Sequence, residues 1–502
     1  MKYIKSMKTS IFKKIKLEYI LLAIILVFAL FLRLYSLGSS PLWIDESTSS
    51  MASKMILEKG VPVFDSGLVY SRAYVFHYIE AFFLLFGEND FNARLVSVLF
   101  GILTIVLVFF IGKEYSKTGG LLAAMFMSVF YLEVFFSRQA RFYQLFQLMF
   151  FLCLYLLYKS GEESKKTNSI KNIKYEFFYL IGSLIAFFIA LDTQIAGLVL
   201  APFIILHILY YNTKYNKYFA ILPAIPLIQK FMPAVGLSSG SAETTINYSD
   251  SYYSFAGNMH YLLILFIPGI IWSFFKKKKL TLLMIIPCLV MLVGIFSLQV
   301  FALRYAYFLV FPLVLYFSLL FSFLYEKYGN IMLVTIFLVL IIPSNLIFPY
   351  TYVNVITPVN YHFNDYSAPL TDYKNINGQV LAELKSNNST LISLFSSDVE
   401  WYIKKPDYVI PFSMDGRGND QISINKTTEI GGLLVYEVVD TYSGARIIDY
   451  ENIKSIKRPY YVTGDSFSLS KLKPTQKENF DKLVEDCSVI YDNSDLRIYE
   501  CL

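Results

Sequence analysis

Charge is scarce in this 502-residue chain: Asp, Glu, Lys and Arg make up 16% of it, against 56% hydrophobic and 18% aromatic residues. A soluble domain carries about 25% charged residues, so the composition excludes an ordinary soluble globular protein and points to an integral membrane protein. Cysteine is scarce too. Of the four, Cys153 and Cys288 lie in apolar runs and Cys487 and Cys501 lie near the C-terminal end. No CxxC spacing occurs, so nothing indicates a thiolate metal site, and a Cys487–Cys501 disulfide is allowed without being required. The chain has no internal repeat and no low-complexity block.

From Tyr350 to Leu502 there is no apolar run near the ~20 residues that cross a bilayer, whereas such runs recur from Tyr19 to Phe348. Two regions follow: a polytopic membrane domain, 1–349, and a soluble domain, 350–502, whose 153 residues are enough for a core of its own. The spans fall at 19–37, 91–112, 121–137, 141–158, 176–191, 194–211, 219–232, 259–275, 280–299, 302–323 and 331–348, eleven in all. The basic N-terminal segment MKYIKSMKTSIFKKIKLEY precedes an apolar run longer than a signal h-region and without a small-residue cleavage site, so it reads as a retained first helix.

Basic residues are nearly missing from one set of loops. Segments 1–18, 113–120, 159–175, 212–218, 276–279 and 325–330 hold 20 Lys and Arg, and the alternate segments hold six. This asymmetry predicts that the first set is cytoplasmic and that 38–90 and the C-terminal domain are extracytoplasmic. The net charge of +6 comes from the membrane part, with 29 Lys+Arg against 17 Asp+Glu, while the C-terminal part holds 15 against 21. Because the lysines sit in short loops, the excess reads as topology rather than as a nucleic-acid surface. Within the first external loop, AYVFHYIEAFFLLFG (Ala73–Gly87) is apolar but interrupted by His77 and Glu80, and reads as a helix lying in the interface. The C-terminal part reads as α/β: STLISLFSS, YVIPFS, LLVYEVVD and DLRIYEC as strands, SKLKPTQKENFDKLVEDC as a helix.

Four clusters carry candidate chemistry. In PLWIDESTSS, Asp45 and Glu46 stand beside the first span; they are either a helix cap or a general base at the outer membrane face. In FYLEVFFSRQARFYQLFQLMFFLCLYLL, Arg138 and Arg141 lie three apart at the outer end of two abutting spans, with Tyr143 beside them and Glu133 in the apolar approach. A guanidinium pair suits a phosphate, although arginines at such depth also snorkel to head groups. Arg304 and Tyr305 occupy another outer boundary, and Asp192 the outer turn of LDTQIAG. Arg72 and His77 are candidate lining residues of a substrate cavity. Taken singly each of these is equally an anchor or a cap; all of them fall on the same predicted side of the membrane.

The order of PLWIDES, FGENDFNARLVSVLFGILTIVLVFFIGK, FFSRQARFYQLFQLMFFLCLYL, LDTQIAGLVL and LRYAYFLVFPLVL resembles the lipid-linked-sugar-dependent glycosyltransferases of the GT-C class, in the branch similar to prokaryotic protein O-mannosyltransferases and aminoarabinose transferases. The resemblance covers the membrane part nearly end to end. It implies an inverting transfer from a polyprenyl-phosphate (dolichyl-phosphate-type) sugar to a glycan, lipid or protein acceptor at the outer face of the cytoplasmic membrane. The first-loop acid of the class maps onto Asp45 with Glu46 beside it, and the donor-phosphate arginines onto Arg141 and Arg304, with Arg138 adjacent. Relatives carry an acid where this chain has Gln139 and a histidine where it has Gln194, so Glu133 and Asp192 are the substitutes for a second acid. The oligosaccharyltransferase WWDYG signature is absent. No cofactor is expected, and a divalent metal is not indicated. The rivals are a lipid-linked-sugar flippase, which places ionisable residues at mid-membrane depth, and a non-catalytic assembly factor.

Overall fold

The computed structural model describes residues 16–165, 170–211, 217–226, 260–296, 303–342, 371–386, 389–410, 423–430, 433–448, 450–453, 456 and 458–502. In chain order the helices of the first two-thirds are α1 (Leu17–Leu34), α2 (Ile44–Lys59), α3 (Tyr74–Leu84), α4 (Asp90–Lys113), α5 (Lys117–Val129), α6 (Tyr131–Phe136), α7 (Tyr143–Ser164), α8 (Ile170–Thr193) and α9 (Leu200–Tyr211). They continue as α10 (His260–Phe296), α11 (Leu303–Ala306), α12 (Val310–Tyr328) and α13 (Ile331–Ile341). The last third alternates helices with eight strands: α14 (Gly378–Leu384), β1 (Thr390–Ser393), α15 (Ser396–Tyr402), β2 (Tyr408–Val409), β3 (Ser423–Ile430), β4 (Leu433–Asp440) and β5 (Arg446–Ile447) come first. Then follow α16 (Tyr450–Ile453), β6 (Tyr460–Asp465), α17 (Ser466–Lys471), α18 (Pro474–Val484), β7 (Ser488–Asp492) and β8 (Leu496–Cys501).

The chain forms two compact units, Met1–Tyr35 with Ser97–Tyr361, and Ser36–Val96 with His362–Leu502. The first is helical. Among the described residues, four helical segments are long and apolar enough to cross a membrane: Leu17–Leu34, Asp90–Lys113, Lys174–Thr193 and Arg304–Tyr328. The sequence led us to expect eleven. α10 is one run of 37 residues that breaks at Lys277 (φ −143°, ψ 63°), within the KKKK turn drawn between two expected spans. A single extended residue, Phe130 (ψ 127°), separates α5 from α6. Part of the expected 219–232 span lies outside the described residues.

Glycine lets these helices approach closely. A Cβ at Gly269 of α10 would lie 2.0 Å from the Tyr316 carbonyl oxygen of α12, and one at Gly112 of α4 would lie 2.9 Å from the Gly119 carbonyl of α5. The space between helices is filled by aromatics: Phe151 of α7 stacks on Phe311 of α12 at 4.1 Å between ring centres, and Phe126 of α5 meets Phe317 of α12 edge-on at 4.9 Å. Such offset and edge-on contacts suit the ring quadrupoles.

The second unit is built on one mixed sheet with strand order β3-β4-β5-β2-β1-β6-β8-β7. β1 runs parallel to β2 and β6, while β6-β8-β7 and β3-β4-β5 are antiparallel. Two apolar clusters form its core, one around Ile392, Val462 and Phe480, the other around Leu391, Tyr461 and Ile498; the alternation of neighbours such as Leu391 and Ile392 between them is the period-2 signature of strands. The segments TLIS, YV, LLVYEVVD and LRIYEC are strands, as expected. The expected helix over 470–487 is two helices, because Pro474 begins a new one at N1, where its missing N–H costs nothing. Cys487 and Cys501 are joined by a disulfide that ties the start of β7 to the end of β8.

The sequence placed 38–90 with the membrane part. In the structure Ser36–Val96 belongs with the sheet. Asp90, at the start of α4, accepts from Lys374 Nζ (2.8 Å), Trp401 Nε1 (3.0 Å) and Tyr402 Oη (3.1 Å). Asp65 pairs with Lys405 at 2.9 Å, and Ser66 Oγ donates to the Thr441 carbonyl at 2.5 Å. Gly444, at φ +65°, lets the turn after β4 approach Ser66: a Cβ there would sit 2.7 Å from the Ser66 nitrogen.

Candidate active site

The two adjacent acids of PLWIDESTSS occupy the first turn of α2 and have different surroundings. Glu46 is fully buried. Its carboxylate receives a two-pronged contact from Arg94, Nε to Oε1 at 2.9 Å and Nη2 to Oε2 at 2.8 Å, and also accepts the Trp43 N–H at 3.3 Å. Arg94 uses its remaining N–H groups on the carbonyls of Leu37, Ser40 and Pro41 at 2.8 to 2.9 Å. This arrangement closes the chain entering α2 around one buried ion pair, the geometry in which such a pair is favourable. Asp45 sits one residue earlier in the same turn and is half-buried.

Further along the same unit, α3 carries the expected interface segment. Its polar residues face inward: Glu80 accepts from Ser50 Oγ (2.8 Å) and Ser53 Oγ (2.6 Å) of α2, and Ser53 Oγ lies 3.0 Å from His77 Nδ1. Tyr78, Phe82, Leu85 and Phe86 face outward, an aromatic face suited to a membrane interface. His77 is fully buried within this serine cluster. Arg72 is exposed just before α3.

In the first unit Glu133 of α6 is buried and receives Tyr307 Oη and Gln147 Nε2, each at 2.7 Å. Gln144 completes the network, with its Oε1 2.5 Å from Tyr307 Oη and its Nε2 donating to Thr104 Oγ1 at 3.0 Å. Gln144 and Gln147 are one helical turn apart on α7, so both amides face α6. Phe136 lies 4.1 Å from the Tyr307 ring and 5.6 Å from that of Tyr143. Arg304 and Tyr305 lie on α11, one turn before Tyr307, both half-buried, with the Arg304 guanidinium 5.4 Å from the Tyr305 ring. The α6–α7 segment and the stretch 304–307 are thereby joined through Tyr307.

The other expected arginines separate into two kinds. Arg138 Nη1 lies within hydrogen-bond distance of the carbonyls of Leu32 (3.2 Å), Arg33 (3.0 Å) and Tyr35 (2.6 Å), where it caps the C-terminal end of α1 and meets its dipole. Arg141 is buried, with its guanidinium 4.6 Å from the Phe142 ring and 5.5 Å from that of Tyr143. Gln139 between them is buried with neither amide atom hydrogen-bonded among the described residues. Asp192 is half-buried at the C-terminal end of α8. Among the described residues no group of three or more His, Cys, Asp or Glu side chains is set to hold a metal ion.

The sequence reading missed Arg94, Arg33, Tyr307, Gln144 and Gln147. Both arginines gave a signal, a lone charge inside an apolar span, which is costly unless paired. The glutamines at i and i+3 on an apolar helix were a second.

Residues 72–233 match the family model described as dolichyl-phosphate-mannose-protein mannosyltransferase. The fold is that of ArnT from Cupriavidus metallidurans: the apo structure superposes with a TM-score of 0.63 at 10% identity over 96% of this chain and 97% of that one. About a third of the chain thus matches this mannosyltransferase family model, and nearly all of it shares the ArnT fold. The same ArnT bound to undecaprenyl phosphate matches this chain with a TM-score of 0.58 at 10% identity and the same coverage. The apo oligosaccharyltransferase of Archaeoglobus fulgidus matches at 0.50, with 12% identity over 78% of this chain and 64% of that one. No curated protein sequence matches this chain.

Proposed function

We propose that this protein is a glycosyltransferase that moves a sugar with inversion from a polyprenyl-phosphate donor to a hydroxyl of a glycan, lipid or protein acceptor at the outer face of the cytoplasmic membrane. Asp45 is the general base. Its carboxylate takes the acceptor proton as that oxygen attacks the anomeric carbon; the bond from that carbon to the phosphate oxygen breaks, and polyprenyl phosphate leaves with the electron pair. Arg141 and Arg304 hold the phosphate and stabilise the charge that grows on it, so a strong general acid is not required. Glu133 and Tyr307 tie the α6–α7 segment to the stretch that carries Arg304. The observation that carries this reading is the contrast between the two adjacent acids: Glu46 is fully buried in a two-pronged pair with Arg94, while Asp45 on the same turn is only partly buried. The fold shared with a protein solved with undecaprenyl phosphate supports the donor class.

Segments 38–90 and the C-terminal domain are extracytoplasmic in this reading, which the loop charges favour. The Cys487–Cys501 disulfide supports the same side, since disulfides persist in oxidising compartments. Assaying the purified protein against a panel of polyprenyl-phosphate sugars tests the activity, and transfer from none of them sinks it. Labelling single cysteines in 276–279 and in the C-terminal domain of intact cells tests the topology. External reagent should reach only the latter.

A further inference from the structure

Asp45 is held from both sides by the C-terminal sheet domain. Before it, Ile44 is buried in the sheet's core cluster with Leu394, Phe395 and Ile410, and the Leu42 N–H donates to Tyr402 Oη at 2.6 Å. After it, Ser47 Oγ is hydrogen-bonded to Asp398 Oδ1, and Thr48 Oγ1 lies 3.2 Å from Ser397 Oγ. Every sheet-domain partner of these polar contacts lies on α15. We propose that Asp398 is a positioning residue for Asp45, its carboxyl latching the first turn of α2 onto α15; the proposal rests on reading Asp45 as the base.

Counting hydrogens fixes the form of the latch. The Ser47 hydroxyl reaches two acceptors, the Ile44 carbonyl at 2.9 Å and the Asp398 carboxyl, but has one proton to give. A protonated Asp398 resolves the conflict: its O–H donates to Ser47 Oγ, and Ser47 donates to Ile44, closing the turn that bears Asp45. The surroundings agree. Asp398 is 2% exposed, and the ionisable groups near it are acidic: Asp45 and Glu46 on α2, Asp465 at the end of β6, Tyr373 ahead of α14 and Tyr402 on its own helix. Burial first, with Asp465, Glu46 and Asp45 adding to it against the opposing pull of the Ser47 hydrogen bond, raises its carboxyl to about 8.

The pH consequence has a definite sign. The folded carboxyl binds its proton more tightly than an unfolded one, whose pKa is about 3.9. The stability it lends is therefore complete below about pH 4 and is lost as pH rises through about 8. In the folded protein an ionised Asp398 takes the Ser47 proton for itself, so the Ser47–Ile44 bond that closes the turn is lost across the upper end of that window.

The test compares wild type, Asp398→Asn, Asp398→Ala and Ser47→Ala in the full-length protein. Asp398→Ala should lower kcat at neutral pH by about tenfold or more with KM for donor little changed, since misplacing a reacting group acts on turnover. Asp398→Asn, whose amide still donates to Ser47, should restore kcat to within a few fold and abolish the alkaline fall in activity near pH 8. Independently of activity, hydrogen exchange of the 43–51 amides should lose protection in wild type as pH passes about 8 but not in Asp398→Asn measured at the same pH. Equal protection in both at every pH, or an Asp398→Ala enzyme with unchanged kcat, overturns the latch. If Asp398→Ala does not fold, Ser47→Ala takes its place. An active Asp45→Asn enzyme that shows the predicted exchange pattern would refute the base assignment and leave the latch standing.

Discussion

Glu46 in the sheet-bearing unit and Glu133 in the helical unit are both buried glutamates near the ends of apolar runs, and the protein satisfies them by different chemistry. Glu46 is matched by a full opposite charge, a guanidinium whose fork fits the carboxylate and whose other hydrogens close three carbonyls of the preceding loop. Glu133 is met by a tyrosine hydroxyl and a glutamine amide, with the fully buried Arg33 committed to helix carbonyls of α1 and α5. The comparison separates arginines by what they meet. Arg94, Arg138 and Arg33 hold backbone carbonyls, whereas Arg141 and Arg304 lie over aromatic rings.

If the distinction is right, breaking the charged pair should have the largest effect. Arg94→Ala leaves Glu46 as an uncompensated buried charge and should cost about 3 to 5 kcal/mol, read as a lowered midpoint in thermal unfolding of the detergent-solubilised protein. Next come the two arginines that lie over aromatic rings. Arg141→Ala and Arg304→Ala should each weaken binding of a polyprenyl-phosphate sugar by about 1.5 to 3 kcal/mol, the worth of a hydrogen bond to a charged group, with Lys a partial substitute because it lacks the fork. Arg138→Ala is the control that sharpens this: it should loosen α1 and leave donor affinity within about twofold, and an equal loss in all three would erase the distinction. The smallest effect belongs to the neutral network, where Tyr307→Phe should cost about 1 kcal/mol of stability. A loss as large as that of Arg94→Ala would mean that Glu133 depends on its tyrosine as strongly as Glu46 does on its arginine.

The strands rich in β-branched and aromatic residues were legible because their composition is local: LLVYEVVD and LRIYEC read as strands and are strands. β6 was not, since YYVTGD ends in Gly-Asp and reads as a turn, yet it pairs between β1 and β8 and is buried throughout. The first loop was misplaced for a related reason. STSSMAS has no apolar periodicity, so nothing marks it as core, but its hydroxyls are buried against Glu80 and α15, partners about 30 and 350 residues away. Glu46 and Asp45 could not be told apart in sequence because Arg94, which decides between them, lies 48 residues on in an apolar span.

The most direct test of the account is to measure sugar transfer and donor binding separately in Asp45→Asn and Glu46→Gln, alongside thermal unfolding. The account predicts that Asp45→Asn keeps its fold and donor affinity and loses turnover by ~10²- to 10⁴-fold, whereas Glu46→Gln loses stability while its folded fraction turns over far better than Asp45→Asn. A fully active Asp45→Asn enzyme, or a stable Glu46→Gln enzyme with abolished turnover, would contradict it.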